Sequence, residues 1–337
     1  MTKPGGLLRL WPGLALALLV AAVAWQLGRW EPLVGGPVFG IVLGLVVRAL
    51  WTPPTYCAPG LRFASRKVLQ GSIVVLGLGL GLGQVAQTGL RSLSVTAVTI
   101  AAAFVAAAVL GRLLGVPSKL KLLIGVGTAI CGASAIAAVT PIVEPDEHET
   151  AYAISTIFLF NVIAVLAFPL LGHLMHLSDA GFGLWAGTAI NDTSSVVAAG
   201  YSYSQAAGDF ATIVKLTRAT LIIPICLLLA AAVAWRHRRA GQHGGTGFSL
   251  RRVFPWFIAW FVLASVLCSV GGVPDAWQPV IHRIAEALIV VALSAIGLGS
   301  DLRRMLASGA RPLLLGFGVW AAVALGSLGM QFVLGQL

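Results

Sequence analysis

The chain has 337 residues, of which 58% are hydrophobic and only 10% charged, with 40 glycines, 10 tryptophans and a net charge of +11. A soluble domain carries about 25% charged residues, and surface-to-volume scaling would leave too much of this apolar surface wet, so a soluble globule is excluded. Nucleic-acid binding is excluded too: the basic residues sit in short loops between apolar runs, and no basic motif with interleaved aromatics occurs.

A bilayer admits only helices or closed barrels. The apolar runs are rich in Ala, Leu and Val and lack the alternation of barrel strands. The fold class is therefore an all-α polytopic membrane protein. Lys3 and Arg9 precede the apolar stretch Leu14 to Val23, and Ala22-Val23-Ala24 has the look of a signal-cleavage site. The apolar run continues to Leu27, so residues 1–33 read as an extra, uncleaved N-terminal transmembrane helix. At about 20 residues per span, the chain holds some eleven spans, this first helix included: 12–29, 34–51, 69–87, 93–115, 119–143, 151–173, 181–200, 208–235, 253–271, 279–299 and 311–335. The second is short and the seventh is interrupted by polar residues. Residues 236–252 form a basic, Gly-rich loop.

Placing the N-terminus in the cytoplasm puts seventeen of the 22 Lys and Arg residues on that side. Only Arg29, Arg91 and Arg283 fall opposite, and Lys215 and Arg218 lie within a span. That asymmetry predicts a cytoplasmic N-terminus and a periplasmic or extracellular C-terminus in the bacterial inner membrane. The acidic loop Glu144 to Glu149 falls on the outside in this map.

Two internal similarities stand out. GTAICGASAIAAV at 127–139 parallels GTAINDTSSVVAA at 187–199, and the segment around Gly81 to Leu93 parallels Gly297 to Leu313. The second pair runs in opposite directions through the membrane, as an inverted repeat requires. The first pair is separated by a single span and so is expected to run parallel, unless one member is a re-entrant hairpin.

Three stretches carry chemistry. Thr128, Cys131, Gly132 and Ser134 cluster within a predicted span, where a helix can break and leave backbone groups for a ligand. Asn191, Asp192, Thr193, Ser194 and Ser195 interrupt another span, and a carboxylate in that setting faces a cavity and does work. Lys215 and Arg218 are three apart and share a helical face. With Asp192 the acidic residue expected nearest, they leave positive charge for an anionic substrate. Structural alternatives stand beside each reading: small-residue packing, a plain helix cap, and a Lys–Asp pair or snorkelling cations. Asn161 reads as an interhelical hydrogen bond and Glu286 with Arg283 as an interfacial pair.

Other signatures are missing. The run Leu76 to Gly83 lacks a Walker lysine and reads as a close-packing surface. The four scattered cysteines and His173-x-x-His176 do not make a metal site or a disulfide framework. No intramembrane enzyme signature occurs, so no catalytic or cofactor-binding residues are expected.

Together, GTAICGASAIAA, FNVIAVLAFPLLGHL at 160–174, FGLWAGTAINDTSSVVAAG at 182–200 and ATIVKLTRATLIIP at 211–224 resemble the YeiH-type membrane proteins, a family generally labelled sulfate exporters. Where that family reads His-Asp-Thr and then Gln-Val, this chain has Asn191-Asp192-Thr193 and Ser195-Val196. The family is similar in architecture to the sodium/proton antiporter and bile-acid symporter superfamily. The resemblance implies inverted five-helix repeats, here 34–173 and 174–337, with crossing broken helices. It also implies secondary transport of a small anion such as sulfate, sulfite or a sulfonate. The expected partners are that anion and the lipid bilayer, without nucleic acid. Coupling to protons or sodium ions, and assembly as a homodimer, stay open. Cation-coupled organic-acid transport, sodium/proton exchange, a channel and a membrane sensor are the alternatives.

Overall fold

Helices make up the regular structure of the described residues, as the composition requires. The structure, a computed structural model, describes residues 6–31, 34–239, 254–307 and 309–337. In chain order the helices are α1 (Gly6–Trp30), α2 (Gly35–Leu50), α3 (Ala58–Phe63), α4 (Leu69–Gly77), α5 (Leu82–Leu113), α6 (Ser118–Ala129), α7 (Ala133–Val143) and α8 (Glu147–Leu174). They continue as α9 (Asp179–Ala189), α10 (Thr193–Tyr203), α11 (Gln205–Thr220), α12 (Ile222–Arg239), α13 (Trp256–Ser269), α14 (Gln278–Gly299), α15 (Leu302–Leu306) and α16 (Ala310–Leu334). Among the described residues six segments are long and apolar enough to cross a membrane: Arg9–Trp30, Leu82–Leu113, Glu147–Leu174, Gln205–Trp235, Gln278–Gly299 and Ala310–Leu334. Gly35–Leu50, Ala133–Val143 and Trp256–Ser269 are shorter apolar helices. The expected loop 236–252 lies outside the described residues beyond Arg239, where α12 ends.

Two of the expected spans are helical hairpins. The stretch 119–143 breaks between α6 and α7, and Lys119 Nζ, at the start of α6, donates to the Glu144 carbonyl just past α7 at 2.6 Å. The hairpin therefore starts and ends on one face. Its arms of 12 and 11 residues rise about 16–18 Å, roughly half of a ~30 Å hydrocarbon core. The stretch 181–200 does the same. Ser204 Oγ, past the end of α10, donates to Asp179 Oδ1 at the start of α9 at 2.6 Å, and the Phe182 and Tyr203 rings stack with centroids 3.9 Å apart.

Helix α8, 28 residues long, runs from the open end of the first hairpin to the open end of the second. The hairpins thus enter from opposite faces, and the two GTAI stretches are inverted, not parallel. The acidic loop Glu144 to Glu149 accordingly lies on the face of Ser118, opposite to its expected side. The two changes cancel for every later segment, so the asymmetry of Lys and Arg between the faces is unaffected. A smaller correction concerns 69–87. The chain turns at Leu78 to Gly81, and α5 already begins at Leu82, so Gly81 is a helix cap rather than a packing position. Gly77 keeps the packing role: a β-carbon there would sit 2.6 Å from the Phe261 carbonyl of α13.

Small residues set the helix spacing. Helix α14 lies against α1, α2 and α4, while α5 lies against α6, α11 and α16. Where α2 crosses α14, a β-carbon on Gly297 would meet the Ile41 carbonyl at 2.4 Å, and one on Gly44 would meet Gly297 Cα at 2.8 Å. Such backbone approach gains dispersion where lipid supplies no hydrophobic drive between helices. Val38, Ile41 and Leu45 of α2 join Val162 and Val165 of α8, Val197 and Ala198 of α10, and Ile289 and Leu293 of α14 in one buried cluster. That cluster holds the hairpin side of the molecule against the α2–α14 side.

Candidate functional site

The last carbonyls of a helix have no partner within it, and both hairpins bring such carbonyls to their tips. Helix α11 passes both tips and supplies the donors. Lys215 Nζ donates to the Ile130 and Ile190 carbonyls, each at 2.9 Å. Arg218 Nε donates to the Ala129 carbonyl at 2.7 Å, and its other two nitrogens donate to the carbonyls of Thr128 and Thr188. Both side chains are fully buried. Each cation therefore joins equivalent positions of the two GTAI stretches, 128 with 188 and 130 with 190. The sequence repeat is a local pseudo-twofold centred beside α11.

Glycines seat α11 close enough to do this. A β-carbon on Gly187 of α9 would lie 2.7 Å from Val214 Cβ, and one on Gly200 of α10 would lie 2.8 Å from Gly208 Cα. The carbonyl ends that receive the cations also carry the negative poles of two half-helices, about half a charge each.

The return arms differ. At the second tip Asp192 caps α10: its carboxylate accepts from Ser194 N at 3.0 Å and from the Ser194 hydroxyl. Asn161 of α8 accepts the Asp192 N–H through Oδ1 at 3.1 Å. At the first tip Gly132 caps α7 with a positive φ of 67° and no side-chain acceptor. A β-carbon on Gly132 would be 3.3 Å from Asp192 Cβ, so the two tips touch. Several buried polar atoms around them have no hydrogen-bond partner: Thr128 Oγ1, Thr156 Oγ1, Asn161 Nδ2 and both amide atoms of Asn191.

Of the residues expected from sequence, Thr128, Cys131, Gly132, Asn191, Asp192, Thr193, Ser194, Ser195, Lys215 and Arg218 all fall at or beside the tips. Asp192 and Thr193 are half-buried; Thr128, Cys131, Asn191, Ser194 and Ser195 are buried. Ser134 does not converge with them and lies on the exposed side of α7. Asp192 is within electrostatic reach of Lys215, but both cations are bonded to backbone carbonyls instead of to its carboxylate. Sequence reasoning gave Asn161 little weight and passed over Thr156 and Thr188. Thr188 Oγ1 donates to the Leu184 carbonyl at 2.6 Å and lies 2.7 Å from Ser327 Oγ of α16. The carbonyl ligands of the cations carry no residue signature, although the GTAI repetition marks where they sit. His173, weighed with His176 as a metal pair, stacks on the Tyr203 ring at 4.2 Å. Among the described residues no group of three His, Cys, Asp or Glu side chains is placed to hold a metal ion.

Two cavities lie away from the tips. One, about 250 Å³, is lined by Arg48, Ser155, Phe158, Ser300 and Asp301. The other, about 600 Å³, is lined by Tyr201, Gln205, Gln278, His282, Arg283 and Glu286.

Residues 12–316 match the protein family described as Conserved hypothetical protein 698. The chain is 42% identical over 343 residues to a UPF0324 membrane protein of Fusobacterium nucleatum subsp. nucleatum, covering 96% of this chain and 98% of the relative. It is 42% identical over 330 residues to a UPF0324 membrane protein of Streptococcus pneumoniae strain R6, covering 96% and 97%. A UPF0324 membrane protein of Streptococcus mutans serotype c is 40% identical over 332 residues, with the same coverage.

Proposed function

The chain belongs to the family described as Conserved hypothetical protein 698, and from that premise we propose that it is a secondary transporter of a small anion. The substrate class is sulfate, sulfite or a related sulfonate, exported across the inner membrane, with the N-terminus cytoplasmic. The observation that carries the reading is the charge at the hairpin tips. Lys215 and Arg218 are buried there with, among the described residues, a single neighbouring carboxylate, Asp192. The two helix C-termini contribute about −0.5 each and the two N-termini about +0.5 each. These dipoles cancel, leaving a surplus of roughly one positive charge. An anion with several oxygens suits that surplus and the unpartnered amide donors Asn161 Nδ2 and Asn191 Nδ2. Inverted re-entrant hairpins meeting near the middle of a membrane are a transporter arrangement.

In this reading the cations act mainly by pinning the hairpins and setting the field. Asp192 adjusts that field, by its charge or by taking a proton during the cycle. The test is a panel of radiolabelled sulfate, sulfite and small sulfonates on purified protein in liposomes, with imposed proton and sodium gradients. Gradient-dependent uptake of one of these anions is expected. Exchange of sodium against protons with no anion movement would replace the proposal with cation exchange, and uptake of only carboxylates would replace the substrate class.

A further inference from the structure

The larger cavity takes no part in the reading above. Its volume, about 600 Å³, falls within the range of about 300–1,000 Å³ of small-molecule sites. Tyr201 and Gln205 line it where α10 passes into α11, and Gln278, His282, Arg283 and Glu286 line it from the first turns of α14. All six side chains are polar, whereas small-molecule pockets are mostly apolar. Arg283 and Glu286 are three apart and share a helical face, the interfacial pair expected from their spacing. The structure does not close that pair. Both line the cavity, yet among the described residues neither side chain makes an ion pair or a hydrogen bond. Arg283 is exposed and lies about 4.5 Å nearer the start of α14. Glu286 is half-buried in the spanning segment Gln278–Gly299, where a carboxylate without a partner is costly. Tyr201 gives its hydroxyl hydrogen to Asp209, so toward a ligand it only accepts. Gln205 is exposed at the start of α11, and among the described residues its amide makes no hydrogen bond.

We propose that this cavity binds a small zwitterion, a molecule with one ammonium and one acidic group. The ammonium pairs with Glu286 and the Tyr201 hydroxyl oxygen. The acidic group pairs with Arg283 and the Gln205 amide, toward the aqueous phase. Two unpaired charges of opposite sign on one helical face match such a ligand at both ends. A simple anion leaves Glu286 unpaired, and a simple cation leaves Arg283 unpaired. Charge-assisted hydrogen bonds are about twice as strong as neutral ones, and a site built for a polar group rejects the analogue that lacks it. The lining comes from α10 and α11 on one side and from α14 on the other, so the occupant bridges them. Free amino acids and the head group of phosphatidylethanolamine share this chemistry. The proposal goes beyond the transport reading and does not rest on it, since binding is measured without movement of any solute.

The test is calorimetric titration of the full-length protein in phosphatidylglycerol nanodiscs. The ligands are 3-aminopropanoate and its singly charged analogues, propanoate and propylamine. None of them is a sulfur oxyanion, so the outcome is separate from that of the anion proposed for the tips. Wild type should bind 3-aminopropanoate about tenfold or more tightly than either analogue, the effect of one hydrogen bond to a charged group. Glu286→Gln should abolish the preference over propanoate, and Arg283→Gln the preference over propylamine. Equal binding of 3-aminopropanoate and propanoate by wild type would overturn the site, as would a preference that survives Glu286→Gln. If Glu286→Gln fails to fold, two variants at exposed positions decide. Arg283→Gln and Gln205→Glu should each weaken 3-aminopropanoate binding by about threefold or more. A glutamate at the first position of α11 suits the helix dipole while repelling the acidic end of the ligand. Unchanged affinity in both variants refutes the site. Phosphatidylethanolamine added to the discs separates the two sources: lost binding assigns the site to the lipid head group, and retained binding assigns it to the free molecule.

Discussion

The two hairpins begin alike and end differently. Thr128-Ala129-Ile130 and Thr188-Ala189-Ile190 offer matching carbonyls to Lys215 and Arg218, yet the next residues are Cys131-Gly132 in one and Asn191-Asp192 in the other. The shared half anchors each hairpin to α11. The divergent half makes an otherwise symmetric centre electrically lopsided: α7 starts without a side-chain cap, whereas α10 starts on a carboxylate. Symmetry in this site belongs to the backbone ligands, and asymmetry to the side chains that follow them.

The largest expected effect comes from breaking the shared half. Arg218→Ala strands the carbonyls of Thr128, Ala129 and Thr188, and each buried acceptor left without a partner costs about 1–3 kcal/mol. The purified variant should melt far below wild type or fail to accumulate. Because Lys215 is bonded to carbonyls and not to Asp192, the Lys215→Ala/Asp192→Ala double variant should stay unstable. Recovery of folding in that double variant would restore the ion-pair account.

Next in size is the first tip alone. Gly132 holds φ at 67° and ψ at −134° beside Asp192, outside the left-handed helical region and sparsely populated by L residues, where a side chain costs about 1–3 kcal/mol before any clash. Gly132→Leu should abolish anion uptake while protein remains in the membrane. Normal uptake would make the tip a packing contact only.

A third comparison uses the paired threonines. Thr188 Oγ1 is bonded within α9 and to Ser327, whereas Thr128 Oγ1 has no partner. Thr188→Val should cost about 1–1.5 kcal/mol in stability, and Thr128→Val should cost nothing or stabilise slightly, because its hydroxyl is desolvated without compensation. Equal losses from the two substitutions would contradict the asymmetry.

The smallest change in stability is expected from Asp192→Asn. Asparagine caps a helix about as well as aspartate, so the melting temperature should barely move. The pH dependence of uptake should change while the order of preferred anions does not. A changed anion order with an unchanged pH profile would assign Asp192 to selectivity instead of to charge control.

Much of this site was legible in the chain. The clustering of Thr128 to Gly132 and of Asn191 to Ser195, and the helical spacing of Lys215 and Arg218, located it because polar residues inside long apolar runs need a reason to be there. Ser134 was misplaced, since a helix break fixes which residues are near it but not which way the return arm turns.

The sequence by itself determined the environment and class of this protein. Apolar runs of spanning length compel helices, because backbone groups in a bilayer must be satisfied within the segment. It also determined the family, the positions of the two breaks and the uneven distribution of Lys and Arg. Only the tertiary structure decided that 119–143 and 181–200 fold back on themselves. A run of about 20 apolar residues with a central break is equally long as one crossing or as two half-crossings. The choice rests on contacts remote in sequence: Lys119 with Glu144, Ser204 with Asp179, and two cations on α11 binding carbonyls from both hairpins. Backbone carbonyls are the same in every residue, so no sequence pattern names them as ligands. Their role appears only when the chain brings two helix ends to the same pair of charges.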